Sequence, residues 1–356
     1  MDKLNVCVLF GGVSPEHQVS LRSAEWVLNK LNTEKYRIYP VGITRQGHWI
    51  LFGGTDYSML PTEEWLNHPE NSHAVISPEC DKGLLCFNEH VVETVHIDVV
   101  FPVLHGENGE DGSIQGLLQL AGIPYVGSHV SASAVAMDKT LTKLVIDKAG
   151  IPQAAWILVR NSELAQSIDT VLDTIEARFL YPVFVKPAGT GSSVGVSKAH
   201  NRDGLRDALL NAGRYDEKIL VEEFIDGAEI EVAVMGNQVA IASVCGEIDA
   251  GAEFYDYETK YTTDTSVAYI PARVSEETAQ KVREYAVKVY KAVGCTGLSR
   301  VDFFVTFSDE HIVFNEINTL PGFTSISMYP KLFEASGIPC EQLIDKLLEY
   351  AMEACR

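Results

Sequence analysis

Apolar and amphipathic segments alternate over residues 1–126, and this alternation constrains the fold more than any other feature of the chain. The runs "LNVCVLFGG", "YRIYPVGIT" and "HIDVVFPVLHG" predict strands, whereas "PEHQVSLRSAEWVLNKL" and "DGSIQGLLQLAGI" predict helices. Strands that alternate with helices favour a parallel sheet, whose ligands bind at the carboxyl ends of the strands. The sequence therefore predicts an α/β fold with an N-terminal open parallel sheet, with peripheral loops and a short hairpin over the polar stretch 55–90.

The signals change in the rest of the chain. A helix is expected over about 129–149, followed by strand, glycine-rich loop and strand over 181–199 and by two strands over 218–236. A final helix, "CEQLIDKLLEYAMEA", closes the chain. A chain of 356 residues is too long for one small core, so several domains are expected. The predicted domains are 1–126, 127–214 and 215–356.

Charge and cysteine content restrict the functional classes. The 28 basic and 49 acidic residues give a net charge of −21, which opposes nonspecific binding to nucleic acid or to anionic lipid. The 7 cysteines are scattered without CxxC spacing, which is typical of reduced thiols rather than of a zinc site or a disulfide framework. There is no signal-peptide pattern and no apolar run of about 18 residues, so a cytoplasmic protein with no membrane partner is expected.

The segment 298–318 predicts a hairpin with four polar residues on one face. With a turn at Ser308–Glu310, Phe307 would pair with His311, and counting back places Asp302 opposite Glu316 and Arg300 opposite Asn318. Since side chains alternate along strands, all four would project from one side. Carboxylate and amide oxygens suit Mg²⁺. The alternative is a solvated outer face, because a shift by one residue would send Asp302 to the other side.

Three glycine-containing loops follow predicted strands. In "KPAGTGSSVGV" (186–196), backbone N–H groups, Ser hydroxyls and Lys186 suit a phosphate, although the loop has neither Walker nor Rossmann order and a flexible surface turn is the alternative. "FPVLHGENGEDGSIQG" places His105 at a ligand-facing strand end, with Asp111 suited to cap the next helix. Glu16 opens the first helix, where the helix dipole favours a carboxylate and where it is also placed to hold a substrate ammonium group.

Together these segments resemble the D-alanine–D-alanine ligase family of ATP-grasp enzymes. Seven motifs carry the resemblance in order over essentially the whole chain: "FGGVSPEHQVS", "HGENGEDGSIQG", "MDK", "VKPAGTGSSVG", "FYDYETKY", "SRVDFF" and "NEINTLPGFTSISMYP". The resemblance implies a three-domain ATP-grasp architecture in which ATP lies between the last two domains. One position departs from the family pattern: Ile326 stands where many members have His or another polar residue.

The resemblance also implies nucleotide and metal ligands. Asp302, Glu316 and Asn318 would hold two Mg²⁺ ions, for which Mn²⁺ is an alternative, against the phosphates of ATP. The residues expected to contact the nucleotide itself are Lys139 and Lys186 at the phosphates, Glu222, Glu223 and Ile225 at the adenine edge, Glu229 at the ribose, and Lys260.

The amino-acid site follows from the same resemblance. Glu16 would bind the ammonium group of the first D-alanine and would form a hydrogen-bonded chain with Ser192 and Tyr261. Arg300 and the Gly322 N–H would receive the oxyanion. Lys260 and Ser327 would hold the carboxylate of the second D-alanine, and Met328 would line its pocket. The full set expected to bind substrate is Glu16, His105, Lys260, Arg300, Ser327 and Met328.

The expected reaction joins two D-alanine molecules through an acyl phosphate, for peptidoglycan precursors. Residues 250–268 would form a lid that excludes water. Relatives that use D-serine or D-lactate tend to carry Arg where this sequence has Met328, which favours D-alanine as acceptor. Two rivals remain: an ATP-grasp ligase with other substrates, and a nucleotide-binding regulator that has lost catalysis. The family also suggests a homodimer.

Overall fold

The computed structural model describes residues 3–88, 91–249 and 267–354. Its first sheet has seven strands in the order β6-β5-β4-β3-β2-β1-β7. Their bounds are β1 (Leu4–Gly11), β2 (Tyr36–Ile43), β3 (Trp49–Leu51), β4 (Ser72–Ile76), β5 (Leu84–Asn88), β6 (Val91–Val95) and β7 (Val99–Leu104). The open sheet predicted from the alternating segments is confirmed.

The parallel arrangement applies to one end of this sheet. β1 pairs in parallel with both β2 and β7, whereas β3 to β6 extend the sheet by antiparallel pairing. Of these strands, β4 and β5 lie in the stretch 55–90, where a short hairpin and loops are expected, and this stretch also holds two short 3-10 segments, Tyr57–Met59 and Glu64–Asn67; β3 and β6 flank it. The sheet is therefore mixed, and its parallel part is the part that leads into the glycine-containing loops.

Two helices cover the parallel strands, α1 (His17–Lys30) and α2 (Ser113–Ala121). Alternate residues of β1 point to opposite faces, so Val8 and Phe10 pack with α1 while Leu9 packs on the side of α2. The α1 side shares one apolar core with the C-terminal helices. The N-terminal sheet and the end of the chain are thereby joined by a continuous core.

A predicted single helix over 129–149 is instead two helices, α3 (Val130–Met137) and α4 (Lys139–Ala149). Asp138 lies between them in an extended conformation, and its side chain accepts the N–H groups of Thr140 and Leu141. This is a standard N-cap, which ends one helix and starts the next. The predicted end at Gly150 is confirmed, since Gly150 adopts a left-handed conformation after α4.

The second sheet is antiparallel and has four strands in the order β10-β9-β11-β8. Its elements are β8 (Trp156–Arg160), α5 (Asn161–Glu176), β9 (Val183–Pro187), β10 (Ser197–Ala199), α6 (Arg202–Ala212) and β11 (Lys218–Glu223). The glycine-rich loop joins β9 to β10, as the sequence predicts. β11 begins after residue 215 and pairs with β8 and β9, so this sheet reaches past the predicted boundary, and the three domain ranges remain a prediction.

The third sheet has five antiparallel strands in the order β14-β13-β12-β15-β16. Its elements are β12 (Gly227–Gly236), β13 (Ala240–Asp249), β14 (Val267–Tyr269), α7 (Glu276–Val293), β15 (Gly297–Thr306), β16 (Ile312–Asn318), α8 (Met328–Ala335) and α9 (Cys340–Ala354). Apolar residues of α7, α3 and α4 cover one face of this sheet. Across the part of the chain that the structure describes, no helix is both long and apolar enough to cross a membrane.

Candidate active site

The β15–β16 hairpin brings four predicted site residues together. Arg300 pairs with Asn318 and Asp302 pairs with Glu316, which confirms the predicted pairing at these positions. The Arg300 guanidinium donates to both oxygens of the Asp302 carboxylate, from Nε at 2.8 Å and from Nη2 at 2.6 Å. The Asn318 amide donates to the same carboxylate at 3.1 Å. Arg300, Asp302 and Asn318 are therefore joined by hydrogen bonds, and Glu316 lies opposite Asp302 on the adjacent strand.

The predicted turn of this hairpin is wrong. Thr306 N–H donates to the His311 carbonyl at 3.0 Å, whereas Phe307 N–H donates to Asp226 at 3.2 Å, so Phe307 and His311 are not a pair. The loop has one residue more than expected, and Glu310 adopts a left-handed conformation in it. A bulge at Asn315 then shifts the pairing back by one residue before Glu316. The two offsets cancel, which is why the predicted pairs are correct.

A third strand adds a carboxylate that the sequence analysis did not name. Glu231 on β12 pairs with Asp302 on β15, so Glu231, Asp302 and Glu316 form a row across three strands. Glu231 also lies 3.3 Å from the Arg300 guanidinium. The signal was present in the sequence, because Glu229 and Glu231 are two residues apart in a strand and share a face.

The oxygen atoms in this row suit a metal ion. Carboxylate oxygens of Glu229, Glu231 and Asp302 all lie within 4.8 Å of one another. Glu316 and Asn318 line the cleft beside them. Hard oxygen donors at this density are the ligands that Mg²⁺ and Mn²⁺ prefer, so the residues present fit the implied metal.

A cavity of about 620 Å³ lies between the four-stranded and five-stranded sheets. Phe184, Phe224 and Phe314 supply apolar walls to it. The predicted nucleotide residues that line it are Lys139, Lys186, Glu222, Glu223, Ile225 and Glu229, together with Glu316 of the hairpin. A mostly apolar cavity with a few charged groups is the usual form of a cofactor or small-molecule site.

Two lysines hold Glu222 inside this cavity. The Lys186 ammonium group lies 2.7 Å from one carboxylate oxygen, and the buried Lys143 contacts the other. Burial alone would raise the pKa of Glu222, but the positive charges of Lys186 and Lys143 outweigh it and hold the pKa at about 2. Lys143 was not predicted as a site residue, although it lies four residues after Lys139 on α4 and so shares its face.

Lys139 is positioned by the glycine-rich loop. Its ammonium group donates to the carbonyl oxygen of Thr190 at 2.6 Å, and its backbone N–H donates to Ala188 at 3.0 Å. Lys186 comes from the strand before the same loop. Both lysines and the loop therefore line the same cavity. Two cations and a glycine-rich loop can bind a polyphosphate there.

A second opening, of about 1090 Å³, continues from the hairpin towards α1. It is lined by α1, by the glycine-rich loop at Ser192, and by strands of the third sheet with the segment that follows β16. The predicted residues that line it are Glu16, His105, Ser192, Arg300, Glu316, Asn318, Gly322, Ser327 and Met328. We call this opening the amino-acid cleft.

Glu16 is the acidic group at the inner end of the amino-acid cleft, and it is only 8% exposed. The Ser192 hydroxyl donates a hydrogen bond to its carboxylate, so the predicted contact between these two residues is present. Gly106 and Gly191 approach the carboxylate so closely that an added Cβ would lie 2.5 Å and 3.1 Å from Oε2, respectively. Glycine at both positions lets two loops reach the same carboxylate.

His105 and Glu110 lie behind Glu16. Burial lowers the pKa of His105, against the opposing effect of Glu16. Its Nδ1 lies 3.1 Å from the Leu320 carbonyl oxygen, so this part of the ring faces the protein. Burial, together with the negative charge of Glu16, raises the pKa of Glu110 to about 8. Glu110 was missed in the sequence, where its position beside Asp111 indicated only a helix start.

The segment after β16 forms the opposite wall of the amino-acid cleft. An added Cβ at Gly322 would lie 2.9 Å from the Ser327 hydroxyl oxygen, so a larger residue there would displace the Ser327 side chain. Ser327 in turn accepts the N–H of Thr324 at 2.9 Å. Met328 is 6% exposed and fills the space left by Gly246, whose added Cβ would lie 2.2 Å from the Met328 methyl carbon.

Two predicted residues lie outside the described part of the chain. Lys260 and Tyr261 both fall in 250–266, for which the structure gives no description. Their roles, and the predicted lid over 250–268, stay predictions.

Comparison with known proteins places this site in a family. The D-ala D-ala ligase N-terminus model matches residues 5–128, and the D-ala D-ala ligase C-terminus model matches residues 145–349. The chain belongs to the D-alanine–D-alanine ligase family. The family and the fold class predicted from the seven motifs are thereby confirmed.

Relatives in the D-alanine–D-alanine ligase family match over nearly their whole length. The D-alanine–D-alanine ligase of Acetivibrio thermocellus is 50% identical, with 99% of this chain and 96% of the relative covered. That of Caldicellulosiruptor bescii is 47% identical over 100% of this chain and 97% of the relative.

Solved structures of related ligases also match this chain. The VanG D-Ala:D-Ser ligase from Enterococcus faecalis matches with a TM-score of 0.89 at 39% identity, covering 98% of this chain and 100% of that one. The D-alanine–D-alanine ligase from Coxiella burnetii matches with a TM-score of 0.85 at 34% identity, covering 100% of this chain and 95% of that one.

Proposed function

We propose that this protein joins two D-alanine molecules into D-alanyl-D-alanine, converting ATP to ADP and phosphate, and so supplies peptidoglycan synthesis. Family membership supports the reaction type. The observation that carries the proposal is the hydrogen bond from Ser192 to Glu16, because it joins the glycine-rich loop of the nucleotide cavity to the acid of the amino-acid cleft. A nucleotide and an amino acid bound on either side of this contact would meet at the hairpin.

The nucleotide cavity supplies a partner for each part of ATP. Glu222 is held ionised by its two lysines, so its carboxylate accepts a hydrogen bond from the adenine amino group. The backbone of Glu223 and Ile225 meets the adenine edge, and Glu229 meets the ribose hydroxyls. Lys139 and Lys186 neutralise charge on the phosphates.

Asp302, Glu316 and Asn318 would hold the metal, which we assign as two Mg²⁺ ions with Mn²⁺ as a substitute. Held by these residues, a divalent ion would supply positive charge to neutralise the phosphates of ATP. Glu229 and Glu231 lie beside these ligands and add negative charge that favours a cation at this place.

The first half-reaction activates a carboxylate. Glu16 binds the ammonium group of the first D-alanine, and Ser192 keeps the Glu16 carboxylate in place. A carboxylate oxygen of this D-alanine then attacks the γ-phosphorus of ATP, ADP leaves, and D-alanyl phosphate forms. Positioning and charge neutralisation contribute most to such a transfer, since the protein forms no covalent bond.

The second half-reaction forms the peptide bond. The amine of the second D-alanine attacks the acyl carbon, and the tetrahedral oxyanion meets the Arg300 guanidinium and the Gly322 N–H. Phosphate then leaves with the oxygen that came from the first carboxylate, and the proton lost by the amine leaves with the phosphate. Ser327 and Lys260 hold the carboxylate of the second D-alanine. Donors that meet an oxyanion in this way typically contribute about 3–4 kcal/mol each.

Water must be excluded from D-alanyl phosphate, which it would hydrolyse. We assign this role to residues 250–268, with Tyr261 joining Ser192 and Glu16 as the lid closes.

We also propose that the protein is a homodimer and that it is located in the cytoplasm. The scattered cysteines and the need for ATP support that compartment.

A second acceptor is favoured by one observation, the match to a D-Ala:D-Ser ligase with a TM-score of 0.89. Phosphate release from ATP should therefore be measured with D-alanine alone, with D-alanine plus D-serine, and without amino acid. Phosphate release that depends on D-alanine alone and accompanies D-alanyl-D-alanine supports the proposal. Release only with D-serine favours the second acceptor, and release without any amino acid, or none at all, refutes the proposed ligase.

A further inference from the structure

The turn at Leu320–Phe323 contains Gly322, and side chains from the N-terminal part of the chain hold it. The Leu320 carbonyl oxygen lies 3.1 Å from His105 Nδ1. At the other end of the turn, the Phe323 N–H donates to the Ser23 hydroxyl oxygen at 3.3 Å. Backbone groups on both sides of Gly322 are therefore fixed by residues from outside their own sheet.

Ser23 and His105 also contact each other. The Ser23 oxygen lies 3.1 Å from His105 Nε2, and the Ser23 side chain, on α1, is fully buried. Ser23 thus contacts both His105, which bonds to the Leu320 carbonyl, and the backbone N–H of Phe323. It lies deeper than the predicted substrate residues and does not line the amino-acid cleft.

The hydrogen atoms in this group have one consistent arrangement. A carbonyl oxygen only accepts, so His105 must carry its hydrogen on Nδ1 to bond with Leu320. Nε2 of the neutral ring then accepts from the Ser23 hydroxyl, and the Ser23 oxygen is left to accept the Phe323 N–H. The result is a chain of hydrogen bonds that runs from the Leu320 carbonyl through His105 and Ser23 to the Phe323 N–H. The backbone from Leu320 to Phe323 closes this chain into a ring.

We propose that Ser23 is a positioning residue, which acts through His105 and the Phe323 N–H to hold the Leu320–Phe323 turn with Gly322 N–H aimed at the oxyanion. The inference rests on the proposed function, because the oxyanion belongs to that reaction. Phe323 is anchored on its other side by Phe101 and Tyr329, with ring centroids 5.9 Å and 5.6 Å away. Packing holds the side chain, and Ser23 holds the backbone.

The chain offers a matched control one helical turn earlier. Ser20 is also fully buried on α1, accepts the Gly11 N–H at 2.7 Å and donates to the Val103 carbonyl. It has the same chemistry as Ser23, but its partners belong to the N-terminal sheet. Ser20→Ala therefore removes an equivalent pair of hydrogen bonds without touching the turn.

The experiment compares Ser23→Ala, Ser20→Ala and the unchanged protein by measuring phosphate and dipeptide from the same reaction. A displaced Gly322 slows amine attack more than phosphoryl transfer. In Ser23→Ala we therefore expect dipeptide formation to fall about tenfold or more, phosphate released per dipeptide to rise severalfold, and the KM for ATP to stay unchanged. Ser20→Ala should keep the phosphate-to-dipeptide ratio of the unchanged protein. Equal ratios in the two variants overturn the proposal.

A measurement on the unchanged protein covers the case in which Ser23→Ala does not fold. Long-range ¹H–¹⁵N correlation spectra report the tautomer of each histidine, and the His105 signals are assigned by their loss in His105→Gln. We expect neutral His105 with its hydrogen on Nδ1 near neutral pH. A hydrogen on Nε2, or a charged ring, overturns the proposal. An unchanged protein without D-alanine-dependent phosphate release refutes the proposed function instead, which keeps the two failures distinct.

Discussion

Ser192 donates a hydrogen bond to the carboxylate of Glu16, although the two residues lie 176 positions apart in the chain. Ser192 belongs to the loop between β9 and β10, and Glu16 precedes α1. One contact thus links the glycine-rich loop, which lines the proposed nucleotide cavity, to the start of α1, which lines the amino-acid cleft. The neighbouring Ser193 lines the proposed nucleotide cavity instead, so the two adjacent serines line different cavities.

Replacing each serine should separate the two binding functions. Ser192→Ala removes a hydrogen bond to a charged group, typically about 1.5–3 kcal/mol, and should lower kcat/KM for D-alanine about tenfold to a hundredfold. Ser193→Ala should instead raise the KM for ATP. Steady-state kinetics with each substrate varied in turn tests this split. If both variants change the same constant by the same factor, the assignment of the two serines is wrong.

The metal assignment is tested at Glu316. Glu316→Gln keeps the shape of the side chain but removes its charge, so turnover should fall about a hundredfold or more while circular dichroism stays nearly unchanged. Glu310→Gln, in the loop of the same hairpin, should keep the Mg²⁺ dependence of the unchanged protein, because Glu310 bonds to Ser275 and Thr278. Wild-type activity of Glu316→Gln at millimolar Mg²⁺ contradicts the assignment.

How far the sequence predicts this site is clearest in the hairpin. Alternation and turn residues predict the pair of Asp302 and Glu316, but the pair is correct because two errors cancel: the predicted turn is one residue too short, and the sequence does not predict the bulge at Asn315. A bulge depends on how the strand packs and has no distinct local signature. Asp138 is the opposite case, because its capping preference was visible in the sequence but the apolar pattern on both sides suggested one continuous helix.

Contacts between distant segments set the limit of the prediction. The family motifs assign Glu16 and Ser192 to one site. The position of Glu231 beside Asp302, in contrast, depends on the pairing of β12 with β15. Ser23 carries no pattern at all, since a serine on an apolar helix face indicates only a small buried residue. Its link to Phe323 exists because the N-terminal and C-terminal parts share a core, which local sequence does not report.

The raised pKa of Glu110 predicts a pH dependence of stability. Its pKa rises from 4.5 to about 8 on folding, so between these values the folded protein holds a proton that the unfolded chain has released. Stability contributed by this proton is present at low pH and is lost as the pH rises through that window. Glu110→Gln cannot release a proton. From about pH 5 to pH 8 the free energy of unfolding of the unchanged protein should therefore fall relative to that of Glu110→Gln.

Urea denaturation of metal-free and nucleotide-free protein measures this difference. Glu107→Gln, an exposed residue of the same loop, is the control and should follow the unchanged protein at every pH. Parallel pH curves for Glu110→Gln and the unchanged protein would show that Glu110 titrates normally.

The acceptor pocket predicts a preference for D-alanine. Met328 presents an apolar thioether, packed into the gap at Gly246, and offers no strong partner for a hydroxyl group. An apolar pocket rejects an added hydroxyl only modestly, by roughly a hundredfold, so D-serine should be a poor but detectable acceptor. D-lactate should be essentially unused near neutral pH. The comparison needs kcat/KM for the three acceptors with D-alanine in the first site. A D-lactate value within about tenfold of that for D-alanine, or a preference for D-serine, would overturn the prediction.

The central claim is that ATP activates the carboxylate of one D-alanine for attack by another. It is tested most directly with D-alanine labelled with ¹⁸O in its carboxylate, by mass spectrometry of the dipeptide and the phosphate from one reaction. Because the activated oxygen leaves with the phosphoryl group, each dipeptide should be accompanied by one phosphate that carries one ¹⁸O atom. Phosphate without the label, or phosphate release that does not require D-alanine, would contradict the account.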